Sequence, residues 1–475
     1  MRRLKVFPRQ ACGPFVLVLL VALSPSCSAQ SHSTLAPDLR ASIDDIARRV
    51  LASSGVPSAS LVVVKDAKIA YTQAYGDARL DPKLAAKPTM LYSVGSISKQ
   101  FTAAAILLLQ EQGKLSLGDP VSKWVPGLTR GDEVTVRQLL SHTSGYQDYW
   151  PQDYVMPDML KPTTAEHIID IWGKKPLDFD PGTKWQYSNT NYVIAGLIVE
   201  KAAGMPMLQF LHQHVFDPLN MKSIANVDEA KLPDNDPEGY FRYAFGPLRP
   251  APKEGKGWIF AAGELAMTAE DLAKWDISMI KETVLKPASY KAMETEVVLK
   301  NGVGARYGLG VQVRSASGHR VLSHGGEVSG FTSENMVLPD DGVAIVVQTN
   351  QDAVDAAQLI ADQVRTTLLA SENPFDQHQV EAIRQIYDGL TQGKIDRSFF
   401  TDNGNAYFNQ QALADYAGSL GPLGKPDSFV QAEQGLRGGM TLRIFDVEYP
   451  SKKVGIVIYQ LPDGRFEQFL VAPRE

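Results

Sequence analysis

Leu39, Ile43, Ile46 and Val50 recur at helical spacing and predict an amphipathic helix over Asp38–Leu51. Two short apolar runs follow, Ser60–Val64 and Ile69–Ala74, joined by the polar turn Asp66-Ala67-Lys68. They read as a β-hairpin. A second helix is predicted from near Ser96 to about Gln112, rich in Ala and Leu, with Gly113 as its stop. From Leu115 to about Lys300 the pattern is mostly helical, broken at Asp180-Pro181-Gly182 and Glu238-Gly239. Strand character returns at Gly308–Val313, Val321–Ser323 and Ala344–Thr349, and a helix over Ala353–Leu369 closes the region. Helices between two sets of strands predict an α/β fold, one layered unit built from both ends with a helical insertion. Ser371-Glu372-Asn373-Pro374 reads as a linker. Beyond it, helices near 379–391 and 410–419 precede strands at Thr441–Tyr449, Val454–Gln460 and Phe466–Val471, with Pro462-Asp463-Gly464 as a hairpin turn. This reads as a small α+β domain, giving boundaries of 1–29, 30–371 and 372–475.

Composition adds three constraints. The 475 residues are 44% hydrophobic and 21% charged, ordinary for a globular chain long enough for two or three domains. A net charge of −6 gives no reason to expect nucleic acid or an anionic membrane as partner. The N-terminus has a basic start (Arg2, Arg3, Lys5, Arg9), an apolar run Gly13–Leu23 and small residues Cys27-Ser28-Ala29 before a cut at Gln30. That is a signal peptide pattern, and it predicts export to the periplasm or beyond. The alternative is a lipoprotein anchored at Cys27, although Leu23 lies one place too early for a good lipobox. The two cysteines, Cys12 and Cys27, both belong to this segment, so no disulfide framework or thiolate metal site is expected in the mature chain.

The chemistry centres on Ser96-Ile97-Ser98-Lys99. In this S-x-x-K element serine and lysine share one helical face. A serine hydroxyl needs an adjacent base, and a lysine whose pKa burial has depressed can serve. A helix N-terminus at Ser96 would favour a developing oxyanion. Spacing alone is weak, since Ser278 and Lys281 repeat it. Order makes it specific: Tyr187-Ser188-Asn189 is a Y-x-N element, and His324-Gly325-Gly326 a later [K/H]-x-G element at a strand.

At these residues the chain resembles the serine β-lactamase and penicillin-binding-protein superfamily, in its class C β-lactamase, D,D-peptidase and esterase branch. Leu139–Gly145, Asp217–Met221 and Ala262–Leu272 also fit, so the resemblance covers about 43–369. It implies an antiparallel sheet flanked by helices, an all-helical domain, and a site at their seam. It implies that Ser96 is acylated, that Lys99 and Tyr187 share the general-base role, and that Asn189 holds Lys99 and the substrate amide. The oxyanion hole would be the backbone N–H groups of Ser96 and Glu327, with His324, Gly325 and Gly326 binding substrate. No metal or cofactor is implied. The implied activity is hydrolysis of esters, amides or D-amino-acid peptides through an acyl-enzyme. The alternatives are a β-lactamase or D,D-carboxypeptidase, and a weakly catalytic sensor or scaffold, with peptidoglycan as a further partner.

One departure shifts the substrate. His324 stands where β-lactamases and D,D-peptidases usually have lysine, which favours ester or peptide hydrolysis. If His324 must be charged to hold a carboxylate, turnover of anionic substrates should improve toward pH 6. Other candidates have plainer readings. His212 and His214 sit on a helix whose buried stripe is Leu208, Leu211 and Val215, which disfavours a metal pair. His142 is expected to hold a loop, and Tyr149 and Trp150 to line the pocket or pack the helical domain. Asp119 and Asp271 are expected as caps or loop residues. No G-x-S-x-G elbow or G-x-x-x-x-G-K-[ST] loop occurs.

Overall fold

The structure is a computed structural model, and it describes residues 34–316, 318–372 and 374–474. The expected signal segment and Cys27 lie outside them.

The first helix runs Pro37–Ser54, with proline in its first turn and Gly55 at φ +73° closing it. The hairpin is longer than the apolar runs suggest, Ser58–Lys65 and Lys68–Leu80, with Asp66 and Ala67 both at positive φ in its turn. These strands enter a seven-stranded sheet in the order 83–85, 68–80, 58–65, 343–349, 331–338, 319–328, 312–316. The early strand pairs directly with the late one, Ala59 opposite Thr349 and Val64 opposite Ala344. Both chain ends therefore build one layer, and all its strand pairs are antiparallel.

Side-chain alternation explains why the sheet is covered on both faces. Leu61, Val63, Ile345 and Val347 join a core with the Pro37–Ser54 and Ala356–Glu372 helices. Val62, Val64, Ala344 and Val346 point the other way, into the largest core. That core is built on the Ser98–Glu111 and Asn189–Ala203 helices.

Several elements differ from the pattern-based reading. The strand Phe331–Leu338 was not expected, because Thr332, Ser333, Glu334 and Asn335 look like loop residues. All four are buried, and hydrogen bonds compensate three of them: Thr332 with Thr349, Ser333 with the Val94 carbonyl, and Asn335 with Gln100. The strand expected from Gly308 begins at Gln312. Gly310, at φ +82°, lies so close to the Lys99 carbonyl that a Cβ there would come within 3.0 Å of it. The 115–300 stretch also carries short strands, of which Ile224–Asn226 and Leu265–Met267 join Tyr92–Ser93 in a three-stranded sheet.

Ser371 and Glu372 belong to the Ala356–Glu372 helix rather than to a linker, and Pro374 opens the next helix, Pro374–Leu390. Beyond them lies a four-stranded antiparallel sheet of Ser428–Arg437, Met440–Tyr449, Lys452–Gln460 and Phe466–Arg474. It has its own core, with Phe400, Phe408, Phe445, Ile456, Ile458 and Phe466 buried together. Its first strand went unpredicted because it offers few buried apolar side chains.

Candidate active site

Ser96 sits in a single 3-10 turn, Gly95–Ile97, that leads into the Ser98–Glu111 helix. Gly95 is required there. Its φ is +51°, and a Cβ would lie 2.7 Å from the Glu327 nitrogen. This close approach brings the end of the 319–328 strand beside Ser96. Gly326 repeats the point one residue earlier, since a Cβ there would meet the Val94 carbonyl at 1.9 Å.

Lys99 is fully buried and three oxygens surround its nitrogen: Ser96 Oγ at 2.9 Å, Asn189 Oδ1 at 2.8 Å and the Ala262 carbonyl at 2.7 Å. Burial lowers its pKa to about 7, against a partial opposing pull from Asp148. A neutral amine has two N–H groups and one lone pair. The Asn189 and Ala262 oxygens can only accept, so they take both N–H groups and leave the lone pair facing the Ser96 hydroxyl.

Tyr187 completes the group. Its ring centroid lies 5.0 Å from Lys99 Nζ, and it lines the same cleft as Ser96. Burial, with Asp148 adding to it, pushes this phenol above its ordinary range, so it rests protonated.

Two supporting residues carry no motif. Asp148 accepts from the Asn189 backbone at 3.0 Å and from Asn189 Nδ2 at 3.3 Å. This fixes the amide so that its oxygen faces Lys99. Asp148 was missed by sequence reasoning; its position three residues after Gly145 in the matched Leu139–Gly145 stretch was the available signal. Ala262 contributes only a carbonyl, which no side-chain motif could reveal. His142 is a loop holder, as expected. It is buried at φ +57°, its Nδ1 accepts from the Ser188 N–H at 3.2 Å, and its ring lies 4.3 Å from that of Tyr187. Burial, Lys99 and His324 all hold it neutral.

His324 is held by neighbours within the protein. Its Nδ1 faces the Gly325 carbonyl at 2.6 Å and therefore carries the proton, while Nε2 accepts from the Tyr307 hydroxyl at 2.8 Å. Burial, helped by Lys99, lowers its pKa to about 4. Both ring nitrogens therefore have partners within the protein, and burial favours the neutral ring.

In front of Ser96 lies a cleft of about 710 Å³. It draws on the 148–155 and 241–243 segments, together with Tyr187, Asn189, Gly263 and Glu327. Tyr149 and Trp150 both line it, and Tyr149 also packs against Trp172 and Trp258. His212 and His214 stay apart from it: His214 stacks on Phe210 at 4.4 Å, and His212 approaches Asp217 at 3.5 Å. Among the described residues no cluster of three or more His, Cys, Asp or Glu is placed to hold a metal. Asp119 caps a turn through the Ser116 N–H, and Asp271 accepts from the Ser223 N–H and Lys274.

A sheet built from both chain ends, a helical region, and a serine–lysine–tyrosine group at their seam define a class of serine hydrolase fold. The Beta-lactamase family model matches residues 43–367, and the chain belongs to that family, whose members are hydrolases. It is 26% identical over 384 residues to Penicillin-binding protein 4* of Bacillus subtilis, covering 76% of this chain and 84% of that protein. It is 28% identical over 339 residues to Protein flp of Staphylococcus aureus (strain MW2), covering 69% of this chain and 66% of that protein. Among solved structures, a D-stereospecific amidohydrolase from Streptomyces is 28% identical, with a TM-score of 0.59, over 68% of this chain and 97% of its own. An octameric penicillin-binding protein homologue from Pyrococcus abyssi shares the fold at 22% identity and a TM-score of 0.62, over 92% of this chain and 96% of its own.

Proposed function

We propose that this chain is an exported serine hydrolase that cleaves amides, esters or D-amino-acid peptides through an acyl-enzyme on Ser96. The observation that carries the reading is the buried Lys99 Nζ, 2.9 Å from Ser96 Oγ and held there by the two acceptors Asn189 and Ala262. Ser96 Oγ attacks the substrate carbonyl as its proton passes to Lys99 Nζ. The oxyanion is held by the backbone N–H groups of Ser96 and Glu327, the latter brought beside Gly95. The carbon–heteroatom bond then breaks, and the leaving group takes a proton from the Tyr187 hydroxyl, which Lys99 replenishes. Lys99 then takes a proton from water as the water oxygen adds to the ester carbonyl, and returns it to Ser96 Oγ as the acyl–oxygen bond breaks.

The likeness to the Streptomyces D-stereospecific amidohydrolase supports the amide part of the reading. The neutral, buried His324 speaks against the carboxylate-bearing substrates of the β-lactamase and D,D-carboxypeptidase alternatives. A fluorophosphonate probe tests the reading. We expect a stoichiometric adduct on Ser96, located by mass spectrometry and abolished in Ser96→Ala. No adduct on the wild-type protein would instead favour a non-catalytic scaffold. Export is tested by the N-terminus of the protein recovered outside the cytoplasm, expected at Gln30.

A further inference from the structure

The cleft in front of Ser96 is acidic. Asp148, Asp153, Glu327 and Asp352 all line it, and the described lining includes one cation, Arg242. Arg242 donates to the Ser54 carbonyl at 3.0 Å and to Gln351 Oε1 at 2.9 Å, both neutral acceptors, so its single charge offsets one of the four acids.

Those acids are also crowded. Glu327 accepts one hydrogen bond, from the Ala353 N–H at 2.9 Å, and Asp352 accepts one from the Gly330 N–H at 2.9 Å. Partial desolvation in the cleft, then repulsion from Asp153, Asp352 and Asp355, pushes the Glu327 carboxyl above its ordinary range. A cation entering the cleft would relieve this repulsion, and an anion would add to it.

Aromatic faces are the second observation. Trp150, Tyr154 and Tyr243 line the same cleft, and Tyr154 and Tyr243 are 66% and 72% exposed. Rings beside carboxylates, open to solvent, form the surroundings that hold ammonium groups. The position relative to the chemistry is also favourable. The Glu327 backbone abuts Gly95, so its side chain starts next to the carbonyl that Ser96 would attack.

We propose that the cleft selects acyl donors bearing an ammonium or similar cationic group near the scissile carbonyl and disfavours donors bearing a carboxylate there. This rests on Ser96 being the nucleophile. Free amino-acid amides and esters, and peptides with a free amino end, are the substrate class it implies.

The test uses three fluorophosphonates with tails of equal length ending in an ammonium, a neutral amide or a carboxylate. The rate of Ser96 adduct formation is followed by mass spectrometry. We expect the ammonium probe to react about tenfold faster than the neutral one and the carboxylate probe to be slowest, with the spread narrowing as salt is added. Asp153→Asn and Asp352→Asn should each reduce the ammonium-to-neutral ratio by roughly two- to fivefold, the range for partly exposed charge pairs. Equal rates for the three probes, or a ratio that ignores both substitutions and salt, would overturn the inference while leaving Ser96 as nucleophile. No adduct with any probe would instead remove the hydrolase reading, and this inference with it.

Discussion

The Ser96 site and the C-terminal sheet are organised on opposite terms. Around Ser96, polar groups are buried and held: Lys99, His142 and His324 lie inside the protein with their protonation shifted toward the neutral form. In the 428–474 sheet the buried side chains are mostly aromatic and aliphatic, and several charges sit outside in pairs such as Arg465–Asp463 and Lys453–Glu448. The first arrangement is expensive, because buried polar groups need partners in the right place. It is tolerated where it prepares a nucleophile. The second costs little and stabilises the sheet. Substitutions should therefore separate the two regions: one loses chemistry, the other loses stability.

The largest expected effect is that of Ser96→Ala, which should lower turnover by at least about a thousandfold, read as the residual rate with any substrate the wild type hydrolyses, while the fold is retained. Next, Phe445→Ala empties a fully buried position in the C-terminal core. It should cost about 3–5 kcal/mol in chemical denaturation. The rate of Ser96 labelling at a temperature where the protein stays folded should not follow it; a parallel loss would erase the contrast.

Lys99→Met tests the buried amine through stability. The native lysine releases its proton near pH 7, whereas an unfolded lysine keeps its proton to about pH 10.4. Across that window the unfolded chain binds more protons, so wild-type stability rises with pH. The melting temperature of Lys99→Met relative to wild type should therefore be highest below pH 7 and fall as pH approaches 10. A difference independent of pH would mean that Lys99 is not desolvated.

Asp148→Asn should have a smaller effect. It removes the charge that holds the Lys99 pKa up, so the acid limb of Ser96 labelling should move to lower pH. Asn189 should also be less firmly oriented, with a several-fold slower rate. A purely structural role for Asp148 would slow the rate without moving the limb. Smallest of all, Arg465→Ala breaks an exposed pair and should leave both melting temperature and labelling unchanged.

Much of this contrast is legible in the chain itself. Ser96, Lys99, Tyr187 and Asn189 stand in an ordered set of motifs, and the structure brings all four together. The continuous apolar runs in 58–65 and 343–349 mark strands, although they do not show that they are neighbours. What stayed hidden depends on contacts distant in sequence. Asp148 reaches Asn189 across 41 residues, and the Ala262 carbonyl reaches Lys99 across 163. The Phe331–Leu338 strand was masked by polar residues that look exposed until their buried partners are known. The protonation of His324 depends on burial and on Lys99, neither visible in a three-residue motif.

The central claim is that a neutral Lys99 activates Ser96. The most direct measurement is the rate of Ser96 modification by a neutral fluorophosphonate as a function of pH, with the modified residue verified by mass spectrometry. The rate should rise through about pH 7, as Lys99 loses its proton, and then level off. A rate that is flat from pH 5 to 9, or an adduct on any residue other than Ser96, would contradict it.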